Sequence, residues 1–410
     1  HPPHKLRPAD RERAAQTRAR ALPHALGQRP LRASAVLRLP APRARQERGA
    51  GQPLRRGRVA RVGPVGAPAV TAQHRQMLDQ VLDVFNIKPD IDLDLMKPDQ
   101  SLANLSAEIL THLDPVISRL KPDWILVQGD TTTVMVASLL GYFHQVKVGH
   151  VEAGLRSFDK WAPFPEEINR KIAGVVADLH FAPTEGNRQN LLNEGIPGSM
   201  IVVTGNPAID ALKMIAQRPS PPEVVAMLDQ FGIGLNRKRL VLITAHRREN
   251  MGQPIRNICQ AIKQLAERYL HEVEFVYPVH LNPNIQAPVH ELLSGMDNVH
   301  LVRPLDYLPM VHMMKNSTLI LTDSGGLQEE APALGIPTLV LRETTERPEG
   351  VSAGTLKLVG SDIHKITSEA IRLLDDNKAH AAMANAVNPY GDGSAARQIV
   401  RALLAYQGTA

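Results

Sequence analysis

The sequence predicts an α/β protein built from two doubly wound parallel-sheet domains with a cleft between them. Three observations carry this. From Val70 onward, short apolar runs recur and end on Gly, Asp, Glu or His, the pattern of buried parallel strands. Segments with apolar residues at helical spacing separate those runs. A proline-rich break, Arg218–Glu223 (RPSPPE), divides the alternation into two series, and two successive βαβ series imply two domains.

In the first series, Gln73–Phe85 carries Met77, Leu78, Val81, Leu82 and Phe85 at helical spacing, and LANLSAEILTHLDPVISRL is a second amphipathic helix. Asp123–Asp130 (DWILVQGD) reads as a buried strand, Val134–Tyr142 as a helix and Val146–Gly154 (VKVGHVEAG) as the next strand. FPEEINRKIAGVVA starts a helix, with Pro165 at its opening and two acids beside the dipole. LHFAPT and IVVTGN are further strands.

The second series opens with the strand Arg239–His246 (RLVLITAH) and the helix IRNICQAIKQLAERY. Val273–His280 and VHLVRPL are strands, LPMVHMMKNS is a helix, and Thr318–Gly326 (TLILTDSGG) is a strand with its turn. The helix LQEEAPALG, the strands PTLVL and TLKLVG, and C-terminal helices complete it. The expected layout is a leader at 1–69, a first domain at 70–207 and a second at 208–389, with the C-terminal helix of 390–410 packing back on the first domain.

The 410 residues suffice for two domains of the usual size, about 150 residues each. A single cysteine, Cys259, excludes internal disulfides and thiolate zinc clusters and suits a reducing compartment. No apolar run reaches the roughly 18 residues of a membrane span, and the first residues lack the apolar region of a signal peptide. The expectation is a cytoplasmic protein without a membrane partner.

The net charge of +6 averages two unlike parts. Residues 1–70 hold 15 Arg and one Lys against two Glu and one Asp, a net +13, whereas the remainder is at −7. That leader has ten Pro and no Ile, Phe, Tyr, Trp or Met, so disorder is its expected state. Its charge suits nucleic acid or acidic lipid. It has no aromatic residue for base stacking and no nucleic-acid motif, so nucleic acid is not an expected partner.

Ligands of open α/β sheets sit beyond the carboxyl ends of the strands. Five polar positions stand there: Asp130 in QGDTTT, Glu152 in GHVEAG, His246 in TAHRREN, His280 in PVHLNP, and Asp323-Ser324-Gly325-Gly326. Each alone reads equally as a helix cap or a hydrogen-bonded turn; their shared placement favours a site.

In DSGGLQEE, two glycines after a strand let backbone approach a phosphate, and the following helix offers unpaired N–H groups. Ser324 adds a hydroxyl donor, Glu330 suits ribose hydroxyls, and Arg347 suits a diphosphate. Neither GxGxxG nor a Walker loop is present, so neither NAD nor ATP is indicated. Asp130, Glu152 and Glu166 supply carboxylates for removing a proton from carbon and returning it. The 16 histidines form no metal signature, so no metal and no cofactor are expected.

Together these strings resemble the non-hydrolysing UDP-N-acetylglucosamine 2-epimerases. The motifs are VTAQHRQMLDQVL, QGDTTT, GHVEAGLRS, PFPEEINR, TAHRREN, YPVHLNP, LTDSGGLQEEAPALGIPTLVLRETTERPE and NPYGDG, in family order from Val70 to the C-terminus. The resemblance implies a GT-B-like pair of Rossmann-type domains, a homodimer, and interconversion of UDP-GlcNAc and UDP-ManNAc through a 2-acetamidoglucal. Asp130, Glu152 and Glu166 match the catalytic carboxylates of that family, and His246 its substrate-facing histidine. Ser324, Gly325 and Gly326 match its phosphate cradle, Glu330 and Arg347 other UDP contacts, and Leu305 and Met310 the uracil site. Gln73, His74, Gln76, Arg247 and His280 match positions that bind a second, activating UDP-GlcNAc.

One departure stands out. The family opens with a strand and a GTRPE-type loop, and no such string occurs in residues 1–70. The biased composition and its abrupt end at Val70 suggest a mis-framed or mis-started reading of a GC-rich gene; a continuous frame on resequencing would refute this. Otherwise, the first domain lacks a central strand and two UDP ligands. An inactive homologue and a GT-B glycosyltransferase are the alternatives, the second distinguished by its need for an acceptor.

Overall fold

The computed structural model describes residues 66–71, 75–97, 100–161, 163–233 and 238–406. Most of the leader, together with Gln73 and His74, lies outside these described residues.

The first series comprises β1 (Ala69–Val70), α1 (Arg75–Val84), β2 (Ile91–Asp92), α2 (Leu102–Leu120), β3 (Trp124–Gln128), α3 (Thr132–Phe143), β4 (Lys147–Val151), α4 (Glu166–Val176), β5 (Leu179–Ala182), α5 (Glu185–Asn193), β6 (Ile201–Val203) and α6 (Pro207–Ala216). The second comprises α7 (Pro222–Gln230), β7 (Arg239–Thr244), α8 (Gln253–Arg268), β8 (Val273–Pro278), α9 (Pro283–Leu293), β9 (Val299–Val302), α10 (Tyr307–Lys315), β10 (Leu319–Thr322), α11 (Leu327–Ala333), β11 (Thr338–Val340), α12 (Pro348–Ser352) and β12 (Leu356–Leu358). Helices α13 (Ile363–Asp375), α14 (Asn377–Ala384) and α15 (Ala395–Ala405) follow.

Local chemistry explains the boundaries. In α2, Ser101 caps the N-terminus by accepting from the Asn104 N–H at 3.1 Å, and Leu105, Ile109, Leu113 and Ile117 form its buried stripe. Lys121, in the left-handed region at φ 45°, ends it. The strands are continuous apolar runs because helices cover both faces of a parallel sheet.

Two all-parallel sheets result. The first is four-stranded in the order β3-β4-β5-β6, and the second six-stranded in the order β12-β11-β10-β7-β8-β9. In the second sheet the chain order reverses between β7 and β10, the switch point at which such sheets bind ligands. β1 and β2 form a separate parallel pair. Thr71 Oγ1 lies 3.0 Å from Thr133 Oγ1 at the start of α3, tying this pair to the four-stranded unit.

The last helix returns to the first sheet. Ile399 and Leu403 of α15 pack with Trp124, Leu126, Val151, Leu179 and Phe181. Among the described residues, no helix is long and apolar enough to cross a membrane.

Candidate active site

The carboxyl ends of β3 and β4 deliver the first half of the site. Asp130 stands two residues beyond β3 and is 3% exposed. Its Oδ2 accepts from Arg170 Nη2 at 2.5 Å, and its carbonyl accepts from Asn169 Nδ2 at 2.9 Å. Arg170 also donates from Nη1 to Glu167 Oε2 at 3.1 Å, and that oxygen takes the Ser157 N–H at 3.0 Å. One guanidinium on α4 therefore locks the loop after β3 to the loop after β4. Removing one partner of such a buried ion pair costs about 3–5 kcal/mol.

Glu166, half-buried, is the first residue of α4. Glu152 follows β4 directly with φ at 64°, a left-handed backbone that costs a non-glycine residue about 1–2 kcal/mol. Gly154 keeps this loop against α5: a Cβ there would meet the Asn187 carbonyl at 2.2 Å, with φ at 87°.

The switch point of the second sheet delivers the other half. His246 lies two residues beyond β7, and Asp323 directly beyond β10. The His246 ring stacks on His280, with centroids 5.4 Å apart and planes at 13°. Burial is the main reason that both histidines titrate below their ordinary range. The Ser324 N–H donates to Thr322 Oγ1 at 2.9 Å, and the Ser324 carbonyl accepts from Gln328 Nε2 at 3.2 Å, which sets the glycine turn.

Gly325 lies directly under two cations. A Cβ on it would fall 2.9 Å from Arg347 Nη1 and 3.1 Å from Arg247 Nη2. Arg347 is itself buried, and its Nε donates to Glu329 Oε1 at 2.6 Å. Glu329 in turn accepts from Asn206 Nδ2 at 2.6 Å, in the segment joining the two sheets. Burial pushes the Glu330 carboxyl up to about 7, with Glu329 adding to the rise and Arg347 opposing it.

These halves meet across one cavity. Arg156 and Arg170 line it from the first unit, and Arg247, Gly325, Gly326 and Arg347 from the second. Thr184 Oγ1 donates to Glu349 Oε1 at 2.8 Å across the junction. Four guanidiniums against one carboxylate, Glu346, in the lining suit an anionic ligand such as a diphosphate.

Of the residues singled out in the sequence, Arg247, Gly325, Gly326 and Arg347 border this cavity directly. Asp130 reaches it through Arg170. Leu305 precedes α10 and Met310 lies within it; both are half-buried against the apolar cluster on that side of the second sheet. Gln76 falls in α1.

Arg156, Arg170 and Glu167 are site-building residues that the motif reading passed over. Their signal was present: Arg156 sits inside GHVEAGLRS, and Glu167 and Arg170 inside PFPEEINR. Cys259 is fully buried in α8, and burial pushes its thiol up to about 12, so it is an inert core residue. Among the described residues, no group of three or more His, Cys, Asp or Glu is placed to hold a metal ion.

Known proteins resemble this chain over most of its length. The family model described as UDP-N-acetylglucosamine 2-epimerase matches residues 68–404. The UDP-N-acetylglucosamine 2-epimerase of Yersinia pestis is 53% identical over 342 residues, covering 83% of this chain and 91% of its own. Among solved structures, the UDP-GlcNAc 2-epimerase of Neisseria meningitidis bound to UDP-GlcNAc is similar with a TM-score of 0.72 and 48% identity, over 82% of this chain and 90% of that one. The Methanocaldococcus jannaschii enzyme in complex with UDP-GlcNAc and UDP has a TM-score of 0.65 at 33% identity, over 82% and 91% of the two chains. With the strand-end carboxylates, the glycine turn and a family match over most of its length, the chain belongs to the UDP-N-acetylglucosamine 2-epimerase family.

Proposed function

We propose that this cleft interconverts UDP-GlcNAc and UDP-ManNAc without net hydrolysis. The observation that carries the reading is the cavity itself. Arg170, which holds Asp130, lines it together with a glycine turn crowded by Arg247 and Arg347, and the reading gives the proton transfers to Asp130, Glu152 and Glu166. A carboxylate takes the proton from sugar C2, and the C1–O bond breaks with its electron pair leaving on UDP. The new C1–C2 double bond makes a 2-acetamidoglucal. UDP oxygen then re-forms the bond to C1 while a carboxylic acid returns a proton to the opposite face of C2.

The negative charge growing on UDP is met by the Ser324-Gly325-Gly326 turn and Arg347, where each donor is worth about 3 kcal/mol in the transition state. His246 acts on the sugar side, Glu330 on the ribose, and Leu305 and Met310 hold the uracil. The test is incubation with UDP-GlcNAc in heavy water, following the C2 proton by NMR. UDP-ManNAc carrying deuterium at C2 is expected. Accumulation of free UDP and ManNAc would assign hydrolysis instead, and no exchange by the folded protein would refute the reading.

The same reading carries a homodimer, a second UDP-GlcNAc bound as activator near Arg247 and His280, and a cytoplasmic location, where UDP-sugars are made. Support for the dimer comes from neighbouring helix ends in the first unit, where Tyr142 is 68% exposed, Phe143 63% and Val175 83%. Sedimentation at micromolar concentration gives a dimer mass if this face associates.

A further inference from the structure

At the switch point, the side chain of Asp323 is wholly buried, and its two oxygens have different roles. Oδ2 accepts three hydrogen bonds: from the backbone N–H of His246 at 2.8 Å, from that of Arg247 at 2.8 Å, and from Asn250 Nδ2 at 2.9 Å. This oxygen builds the loop after β7. Oδ1 has no hydrogen-bond partner, although it is buried, and it lies 3.6 Å from His246 Nδ1. A buried, unsatisfied carboxylate oxygen is costly and calls for a role. Catalytic pairs that stand apart before the ligand binds close to hydrogen-bond length in its complex.

We propose that Asp323 is a positioning residue that sets the tautomer of His246. Oδ1 takes the Nδ1–H, which places the lone pair of the neutral ring on Nε2. When Nε2 accepts a hydrogen bond from the ligand, the Asp323 carboxylate balances the positive charge drawn onto the ring. The stacked His280 supports this arrangement. Its Nδ1 accepts the Asn282 N–H at 3.1 Å, so the proton of that neutral ring sits on Nε2. The neighbouring ring is thus held in the opposite tautomer by its own partner, and the His246 state is left to Asp323.

This inference rests on the cleft being the epimerase site, but its first readout does not. In full-length protein labelled with 15N-histidine, long-range NMR correlations report which ring nitrogen carries the proton; loss of one signal set in His246→Asn assigns it. The expected state is Nδ1–H on His246, and Nε2–H there overturns the proposal without any activity measurement. Asp323→Asn is the informative variant. Its amide oxygen still accepts the three loop donors, while its NH2 faces Nδ1 and forces the other tautomer.

The variant is expected to keep UDP affinity within about threefold and to lose kcat by about a hundredfold or more, as wrong-tautomer variants do. Nearly unchanged kcat, or an unaltered His246 tautomer in the variant, overturns the proposal. His246→Asn and His246→Asn/Asp323→Asn should then have the same kcat within about twofold. A further large loss in the double variant would assign Asp323 a merely structural role. If Asp323→Asn fails to fold, the wild-type tautomer still decides.

Discussion

Gly325 is the residue at which backbone chemistry and charge meet most closely. Any side chain there must displace Arg347 or Arg247, since even a methyl carbon would sit 2.9 Å from one guanidinium and 3.1 Å from the other. Both contacts are with the far ends of long side chains rather than with backbone, so the fold tolerates the change while the anion cradle does not. Gly325→Ala is therefore expected to weaken UDP binding tenfold or more by calorimetry, with the unfolding midpoint nearly unchanged. Wild-type affinity for UDP in this variant would place the diphosphate elsewhere. The glycine turn was legible because strand, small residues and helix start are contiguous in TLILTDSGGLQEE. The clamp of Arg170 on Asp130 was not, because those residues lie 40 apart and meet only when α4 packs over the ends of β3 and β4.

Elements show the same division. The buried strands and amphipathic helices follow from local apolar spacing, and α2 begins and ends at the limits of the apolar pattern in its sequence. What spacing alone does not state is where an element goes. Helix α15 ends the described chain, yet Ile399 and Leu403 complete the core beneath β3, β4 and β5. Leu403→Ala removes a side chain that is 4% exposed and is expected to cost about 2–5 kcal/mol, read by urea unfolding. Buried Trp124, whose ring meets Tyr406 at 5.0 Å, reports it by fluorescence: its signal should shift at lower urea than that of the wild type. An unchanged midpoint would mean that the last helix is dispensable to the first sheet.

At the scale of the whole molecule, two buried histidines tie stability to pH. His150 and His180 face each other across β4 and β5. Burial pushes His150 down to about 4, against the hydrogen bond to the Gly129 carbonyl. Burial, helped by the charge of His150, pushes His180 down to about 3. Both folded values lie below the unfolded one of about 6.5, so unfolding takes up protons in acid. Stability is full well above pH 6.5 and falls below it, with a slope approaching about 2.7 kcal/mol per pH unit near pH 5 for two protons. Urea titrations at pH 7, 6 and 5 check this; a flat profile would mean that these rings are solvated in the folded state. By itself the sequence determined the α/β class, the two series of strands and the polar residues at their ends, because periodicity and turn chemistry act over a few neighbouring residues. Only the tertiary structure decided which charges meet: Arg170 with Asp130, Arg247 and Arg347 over Gly325, and Asp323 behind His246. Those contacts join residues tens of positions apart, and burial, which sets their strength, is a property of the packed whole.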